Sequence, residues 1–149
     1  MPLFSAKLDY ALRAVVDLAL QPPNEACQSR EIACRQNIRG PYLDQILAVL
    51  KREGIVRSIR GAGGGYTLAR APDRIRVGEV VRAVVGEQLL LGGSDGAPNP
   101  ESTGAGYIVR QFEEEVEARI GEVLDRHTVA DLAGRKLDLD DTMSFMPGI

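Results

Sequence analysis

Residues 30–70 read REIACRQNIRGPYLDQILAVLKREGIVRSIRGAGGGYTLAR, and the hydrophobic period changes partway along them. The first part, REIACRQ, fits a short helix with Ser29 as its cap. Residues 37–40 break that helix. Pro41 then suits the first turn of another, where a missing N–H is harmless. Leu43, Ile46, Leu47 and Leu50 recur at helical spacing over residues 41–53. Gly54 fits the position just past the end, with Lys51 and Arg52 in the last turn facing the negative end of the dipole. From residue 55 the pattern turns β-rich. Residues 55–60, the small run GAGGG at 61–65, and residues 66–68 form a hairpin signal. Helix, tight turn, helix and hairpin within forty residues predict a winged helix-turn-helix unit.

Outward from this stretch, residues 5–20 fit a helix capped by Ser5 and stopped by Gln21, Pro22, Pro23 and Asn24. Residues 76–85 fit another, with Val77, Val80, Val81 and Val84 on one face. Residues 86–106 hold six Gly, two Pro and two Ser, which reads as a long loop. A strong helix is expected over 107–132. Ile108, Phe112, Val116, Ile120 and Leu124 recur every four residues on it. Such a helix spans about 38 Å, more than a small winged unit covers, so this stripe calls for a partner surface and predicts dimerisation. The expected organisation is a winged unit over 1–85, a Gly-rich loop over 86–106, a dimerisation helix over 107–132 and a tail over 133–149. The fold class is mainly α with one small β-hairpin.

Composition narrows the function. The chain has 149 residues, 44% hydrophobic and 26% charged, with one histidine and two cysteines. No apolar run approaches a membrane span, and the N-terminus lacks a signal-peptide pattern. A reduced, cytoplasmic setting follows from the cysteine usage. A nucleophile–base pair, a metal set or a cofactor loop cannot be assembled, so an enzyme is not expected. GAGGG is followed by a strand rather than Gly-Lys-Ser/Thr and a helix, which argues against a phosphate loop. Residues 1–76 carry net charge +5 and residues 77–149 net -8. Residues 35–76 alone hold nine Lys/Arg against three acidic residues. That is the footprint of a surface that meets a polyanion.

The helical wheel of 41–53 leaves Pro41, Asp44, Gln45, Lys51 and Arg52 outward or flanking. Gln45 can pair with adenine and Asp44 can accept from cytosine. Lys51 and Arg52 suit phosphates. Arg57 and Arg60 lie on one strand, and Arg60 stands at the tip, where an arginine can enter a narrow minor groove. The small residues Gly61, Gly63 and Gly64 allow close approach of the backbone. Ser29, Arg39 and Tyr42 complete the candidate contacts to double-stranded DNA. Cys27 and Cys34 leave a thiol-based redox role open, with Cys34 read as a small half-buried helix residue. His127 reads as a packing or hydrogen-bonding residue, and Glu113, Glu114, Glu115 and Glu117 as a solvated face. A protein–protein adaptor is the remaining alternative, with the basic wing meeting an acidic partner.

The runs DYALRA at 9–14, YLDQIL at 42–47 and RGAGGGYTL at 60–68 resemble the Rrf-two family of bacterial winged-helix transcription regulators, of the IscR, NsrR and CymR kind. The resemblance is close over residues 3–86 and architectural beyond. It implies a homodimeric DNA-binding regulator, a repressor or activator, whose long helices cross at the two-fold. It implies that Pro41, Asp44 and Gln45 face bases, and that Arg60 is the wing arginine. Cluster-binding relatives carry three cysteines between the fourth helix and the long helix; residues 86–106 here contain none. The expectation is therefore a form without an iron–sulfur cluster or other cofactor. Asp9 is then a polar or ion-pairing residue. Three sources of signal stay open: a small molecule or a partner enzyme acting through residues 86–106 and the dimer helix, thiol oxidation at Cys34 or Cys27, or a loss of sensing.

Overall fold

A computed structural model describes residues 3–86 and 103–144. Helix α1 (Ala6–Ala19) starts where Ser5 Oγ accepts the Leu8 N–H at 3.2 Å, and it buries Leu8, Ala11, Ala14, Val15 and Leu18. Helix α2 (Ser29–Gln36) begins one residue earlier than the sequence suggests. Gln28, not Ser29, is its cap, because Gln28 is extended and the Glu31 carboxylate reaches back to its N–H at 3.3 Å. Asn37 ends α2 in the left-handed region, as short polar side chains tolerate.

Helix α3 (Gly40–Arg52) carries Pro41 in its first turn. Leu43, Ile46, Leu47 and Leu50 are wholly buried, each contributing roughly 1.5–3 kcal/mol. Its end is a Schellman turn. Gly54, at φ +76°, donates to Lys51 O, and Ile55 donates to Leu50 O at 2.9 Å while burying its side chain. Strands β1 (Val56–Ile59) and β2 (Gly65–Leu68) pair antiparallel, with Val56 opposite Leu68, Arg57 opposite Thr67 and Ser58 opposite Tyr66. A 3-10 turn (Pro72–Arg74) leads to α4 (Val77–Val85), which buries Val77, Val80 and Val81.

The C-terminal half departs from expectation. Helix α5 (Gly104–Arg126) starts before residue 107 because Thr103 caps it, its Oγ1 accepting the Gly106 N–H at 2.9 Å. It stops at Arg126 rather than residue 132. His127 is extended, and Thr128 with Asp131 forms a reciprocal capping pair. Asp131 Oδ2 accepts the Thr128 N–H at 2.8 Å, and Thr128 Oγ1 accepts the Asp131 N–H at 3.2 Å. That pair launches α6 (Val129–Ser144), so residues 133–144 are helix and not tail. Helix α6 packs on α1 and on the 3-10 turn, and Val129 sits fully buried in the main core. Backbone bonds from Val77 N–H to His127 O and from Val129 N–H to Ile75 O, each 2.9 Å, tie the junction down.

Two apolar clusters result among the described residues. The larger joins α1, α2, α3, the hairpin base, Val80 and Val129; the smaller joins Leu8, Val77, Val81 and Leu124. Among the described residues no helix is long and apolar enough to cross a membrane. The central part of the expected Gly-rich loop, residues 87–102, and residues 145–149 lie outside the described residues.

Candidate nucleic-acid interface

Burying the Leu43–Leu50 stripe of α3 turns Pro41, Asp44, Gln45, Ala48, Lys51 and Arg52 to solvent. Arg39, the residue before α3, is exposed beside them. Tyr42 is half-buried and packs edge-on against Tyr10 of α1, with ring centres 5.6 Å apart. The Arg13 guanidinium covers the Tyr10 ring at 4.8 Å and is held by Asp9 through a 2.8 Å hydrogen bond. Tyr42 therefore props the start of α3 on α1, and Asp9 is an ion-pairing residue. The first turns of α1 and α3 flank an open groove of about 530 Å³ lined by Ala6, Tyr10, Arg39, Pro41, Tyr42 and Gln45. Ser29, half-buried in the first turn of α2, completes the helix-turn-helix end of the surface.

The wing brings Arg57 and Arg60 to the surface, both exposed. The side chains of Arg39, Lys51 and Arg60 make no hydrogen bond or ion pair among the described residues, whereas that of Arg57 donates to Asn24 Oδ1 at 3.3 Å. The tip glycines differ in role. Gly61 takes φ +111° with open space where a side chain would stand, and Gly63 is equally open. Gly64 is required internally: a Cβ there would strike Ile59 O and Gly61 O. Gly65 is more constrained still, with φ +148° and its α-carbon against the Cys27 carbonyl. The tip is therefore not all given over to an outside surface: Gly64 and Gly65 serve the wing's own turn.

A polar network under α2 was not anticipated. Asp17 of α1 is 3% exposed and accepts from Arg35 Nε at 2.9 Å, Arg35 Nη2 at 2.7 Å and Gln36 Nε2 at 2.9 Å. Its signal in the sequence is an acid on the apolar face of α1 facing a basic residue on the next helix. Arg35 Nη2 also lies 2.8 Å from Cys27 Sγ. Asp17 above all, and Cys27 after it, hold the Arg35 guanidinium firmly in its charged form. Cys27 is 4% exposed, and burial pushes its thiol up despite Arg35, with Glu31 adding to the rise. A thiol held protonated is a poor nucleophile. Cys34, expected half-buried, is exposed on the outer face of α2.

The expected dimer stripe on α5 divides in two. Ile108 and Phe112 are 60% and 63% exposed, and Tyr107 and Val109 beside them are also exposed. Val116 and Ile120 are half-buried. Leu124 is buried in the smaller core against Leu8, Val77 and Val81, so it serves its own chain. An ion pair fixes that end: Arg82 of α4 meets Asp125 through two 2.8 Å bonds, and Arg76 Nη1 donates to Asp125 O at 3.0 Å. Arg82 holds the Asp125 carboxyl below its usual range, against a smaller opposing effect of burial. His127 Nδ1 lies 2.8 Å from Val123 O and closes the helix end. The four glutamates 113, 114, 115 and 117 are exposed.

Among the described residues, six helices and one antiparallel hairpin, which follows directly on the α2–α3 pair, define a winged helix-turn-helix protein. The chain belongs to the Rrf2 family, whose model, described as an iron-dependent transcriptional regulator, matches residues 4–135. It is similar to the HTH-type transcriptional regulator IscR of Cereibacter sphaeroides, 48% identical over 82 residues, 54% of this chain and 53% of that protein. Over such matches the chain spans about half the length of its curated relatives. Among solved structures it resembles CymR (YrzC), the global cysteine regulator of B. subtilis, with TM-score 0.72 and 31% identity over 91% of this chain and 98% of that one. It also resembles the T. potens IscR, with TM-score 0.69 and 35% identity over 98% and 93%.

An iron–sulfur cluster does not fit the donors present. Such clusters take four ligands, mostly thiolates. The only two cysteines are Cys27, a buried thiol engaged with Arg35 and Glu31, and Cys34, exposed on α2. Among the described residues no three His, Cys, Asp or Glu side chains converge as a metal site. The iron dependence in the family's description is thus not carried over by this chain's thiols.

Proposed function

We propose that the protein is a homodimeric, sequence-specific DNA-binding repressor of transcription, acting in the cytoplasm without an iron–sulfur cluster. The carrying observation is the conjunction of the outward face of α3 with an exposed, unpartnered Arg60 on a wing whose base is fixed. In this reading Pro41, Asp44 and Gln45 face base edges in the major groove. Arg39, Lys51, Arg52 and Arg57 meet phosphates, and Ser29 and Tyr42 border them. Arg60 enters the adjacent minor groove, with Gly61, Gly63 and Gly64 letting the tip approach the backbone. The net +6 charge of residues 35–76 supports a salt-sensitive interaction, because each neutralised phosphate releases counterions.

The exposed Ile108 and Phe112, with Val116, supply the apolar face for a second copy. A two-fold pair of winged units would read a near-palindromic operator with half-sites one or more helical turns apart. The signal that tunes binding is a small molecule or a partner enzyme. Selection of genomic fragments by the purified protein at about physiological salt tests this reading. A palindrome recovered by the native chain, and bound about 1–3 kcal/mol more weakly by Arg60→Ala, is the expected result. Absence of any duplex preference, with and without cell extract, overturns it in favour of an adaptor.

A further inference from the structure

A second concave site lies away from the α3 surface, between the turn after α1 and the base of the wing. Its volume is about 440 Å³, within the range of small-molecule pockets. Leu18, Pro22, Leu68 and Pro72 supply apolar walls. Two polar groups stand on one face of the hairpin, because Thr67 and Arg57 are directly opposite in the strand register. Thr67 is 8% exposed, yet its hydroxyl makes no hydrogen bond among the described residues. No sealed side-chain atom among those residues lacks a partner, so this hydroxyl is open to solvent, and its residue lines the cavity. Such a hydroxyl is free to bond water or a polar group of a ligand.

Arg57 completes the chemistry. Its only side-chain partner among the described residues is the neutral Asn24 Oδ1 at 3.3 Å, which leaves most of a five-donor guanidinium available to a ligand in place of water. Arg70, also on the rim, is already committed to Glu79 at 2.9 Å and to Arg74 O at 3.0 Å. One cation without an anionic partner, one hydroxyl opposite it in the register and apolar walls behind select the ligand. We propose that this cavity binds a small amphipathic carboxylate, its carboxylate on Arg57 and Thr67 Oγ1 and its apolar body against Leu18, Leu68 and the two prolines. Resting on the regulator reading above, Arg57 is shared with the DNA surface, so carboxylate and duplex lower each other's affinity reciprocally.

The test uses phenylacetate and its uncharged analogue phenylacetamide, titrated into the nitrogen-labelled full chain without DNA. Amide chemical shifts of Thr67, Leu68 and Ala69 are followed. The expected result is a saturable shift with phenylacetate. Its apparent affinity falls about tenfold for phenylacetamide or in Arg57→Gln, as loss of a charge-assisted bond requires. Thr67→Val, which keeps the side chain's shape, weakens it by a smaller factor. No saturable change at these amides, acid and amide binding equally to the native chain, or phenylacetate binding undiminished in Arg57→Gln overturns the proposal. Because no duplex is present, a failure here is separate from a failure of the DNA reading.

Discussion

Cys27 and Tyr66 exchange both backbone hydrogen bonds, at 2.9 Å and 2.8 Å, so the segment entering α2 adds a third extended piece to the wing. A lone two-stranded ribbon is marginal in water. Here the wing is fixed to the start of the helix-turn-helix. The same pairing brings the Cys27 carbonyl against Gly65, which explains why no side chain stands there.

That contact separates the glycines of the tip. Gly65→Ala should destabilise the chain by about 1–3 kcal/mol, from strain at φ +148° and collision with the Cys27 backbone. Gly63→Ala, facing open space, should stay within about 0.5 kcal/mol of the native chain. Urea denaturation of both variants checks this. Equal stabilities would show that the wing is not held by Cys27.

The two cysteines should differ sharply in reactivity. Exposed Cys34 should be alkylated by iodoacetamide at neutral pH about tenfold or more faster than Cys27, whose thiol burial keeps protonated. Mass spectrometry of the labelled peptides reads the order directly. Arg35→Ala should accelerate Cys27 only if the helix pair opens, since it removes the one cation that favours the thiolate.

Arg35→Ala also strips two of the three donors from buried Asp17, leaving Gln36. A buried carboxylate deprived of its donors costs about 1–3 kcal/mol, so thermal or urea unfolding should shift by that amount. A neutral outcome would mean that water replaces the guanidinium without cost.

Asp125 gives the stability a pH dependence of definite sign. Arg82 depresses its folded pKa below the usual 3.8, so the pair stabilises fully above about pH 4. That contribution is lost as pH falls through the folded value. Both side chains are more than a third exposed, so the worth is about 0.2–1 kcal/mol. The stability difference between native chain and Asp125→Asn should be present at pH 7 and shrink toward pH 3. A pH-independent gap would rule the pair out as its source.

The divided stripe of α5 predicts two different phenotypes. Phe112→Glu should leave the fold intact and lower the self-association expected of a dimer, read by sedimentation. Leu124→Ala should instead destabilise the chain itself by about 2–4 kcal/mol, because Leu124 packs inside it. If Phe112→Glu leaves the association state unchanged, the dimer face lies elsewhere.

The N-terminal part of the fold was legible because each of its signals is local. Pro41, Gly54 and the Leu43–Leu50 stripe mark α3 within fourteen residues, and the Gly run marks the wing. The break at His127 was not legible in this way. The apolar spacing runs on through Val129 and Leu132, and only the Thr128–Asp131 capping pair announces a new helix. The burial of Leu124 was hidden for a different reason. A stripe that repeats every four residues does not say where one partner surface ends and another begins; that depends on α4 lying beside it. The exposed positions on α3 followed from the wheel, whereas the Asp17–Arg35–Cys27 network depends on a packing angle between α1 and α2 that no spacing encodes.

Helix α5 is a lever with its pivot inside the molecule. The Arg82–Asp125 clamp and the Leu124 packing root one end, while Ile108 stands sixteen residues away, about 24 Å along the axis. A tilt of about 10° at the root carries the far end about 4 Å, nearly a full turn's pitch. In a two-fold pair built on that far end, such a tilt would be passed on to the spacing of the two α3 helices.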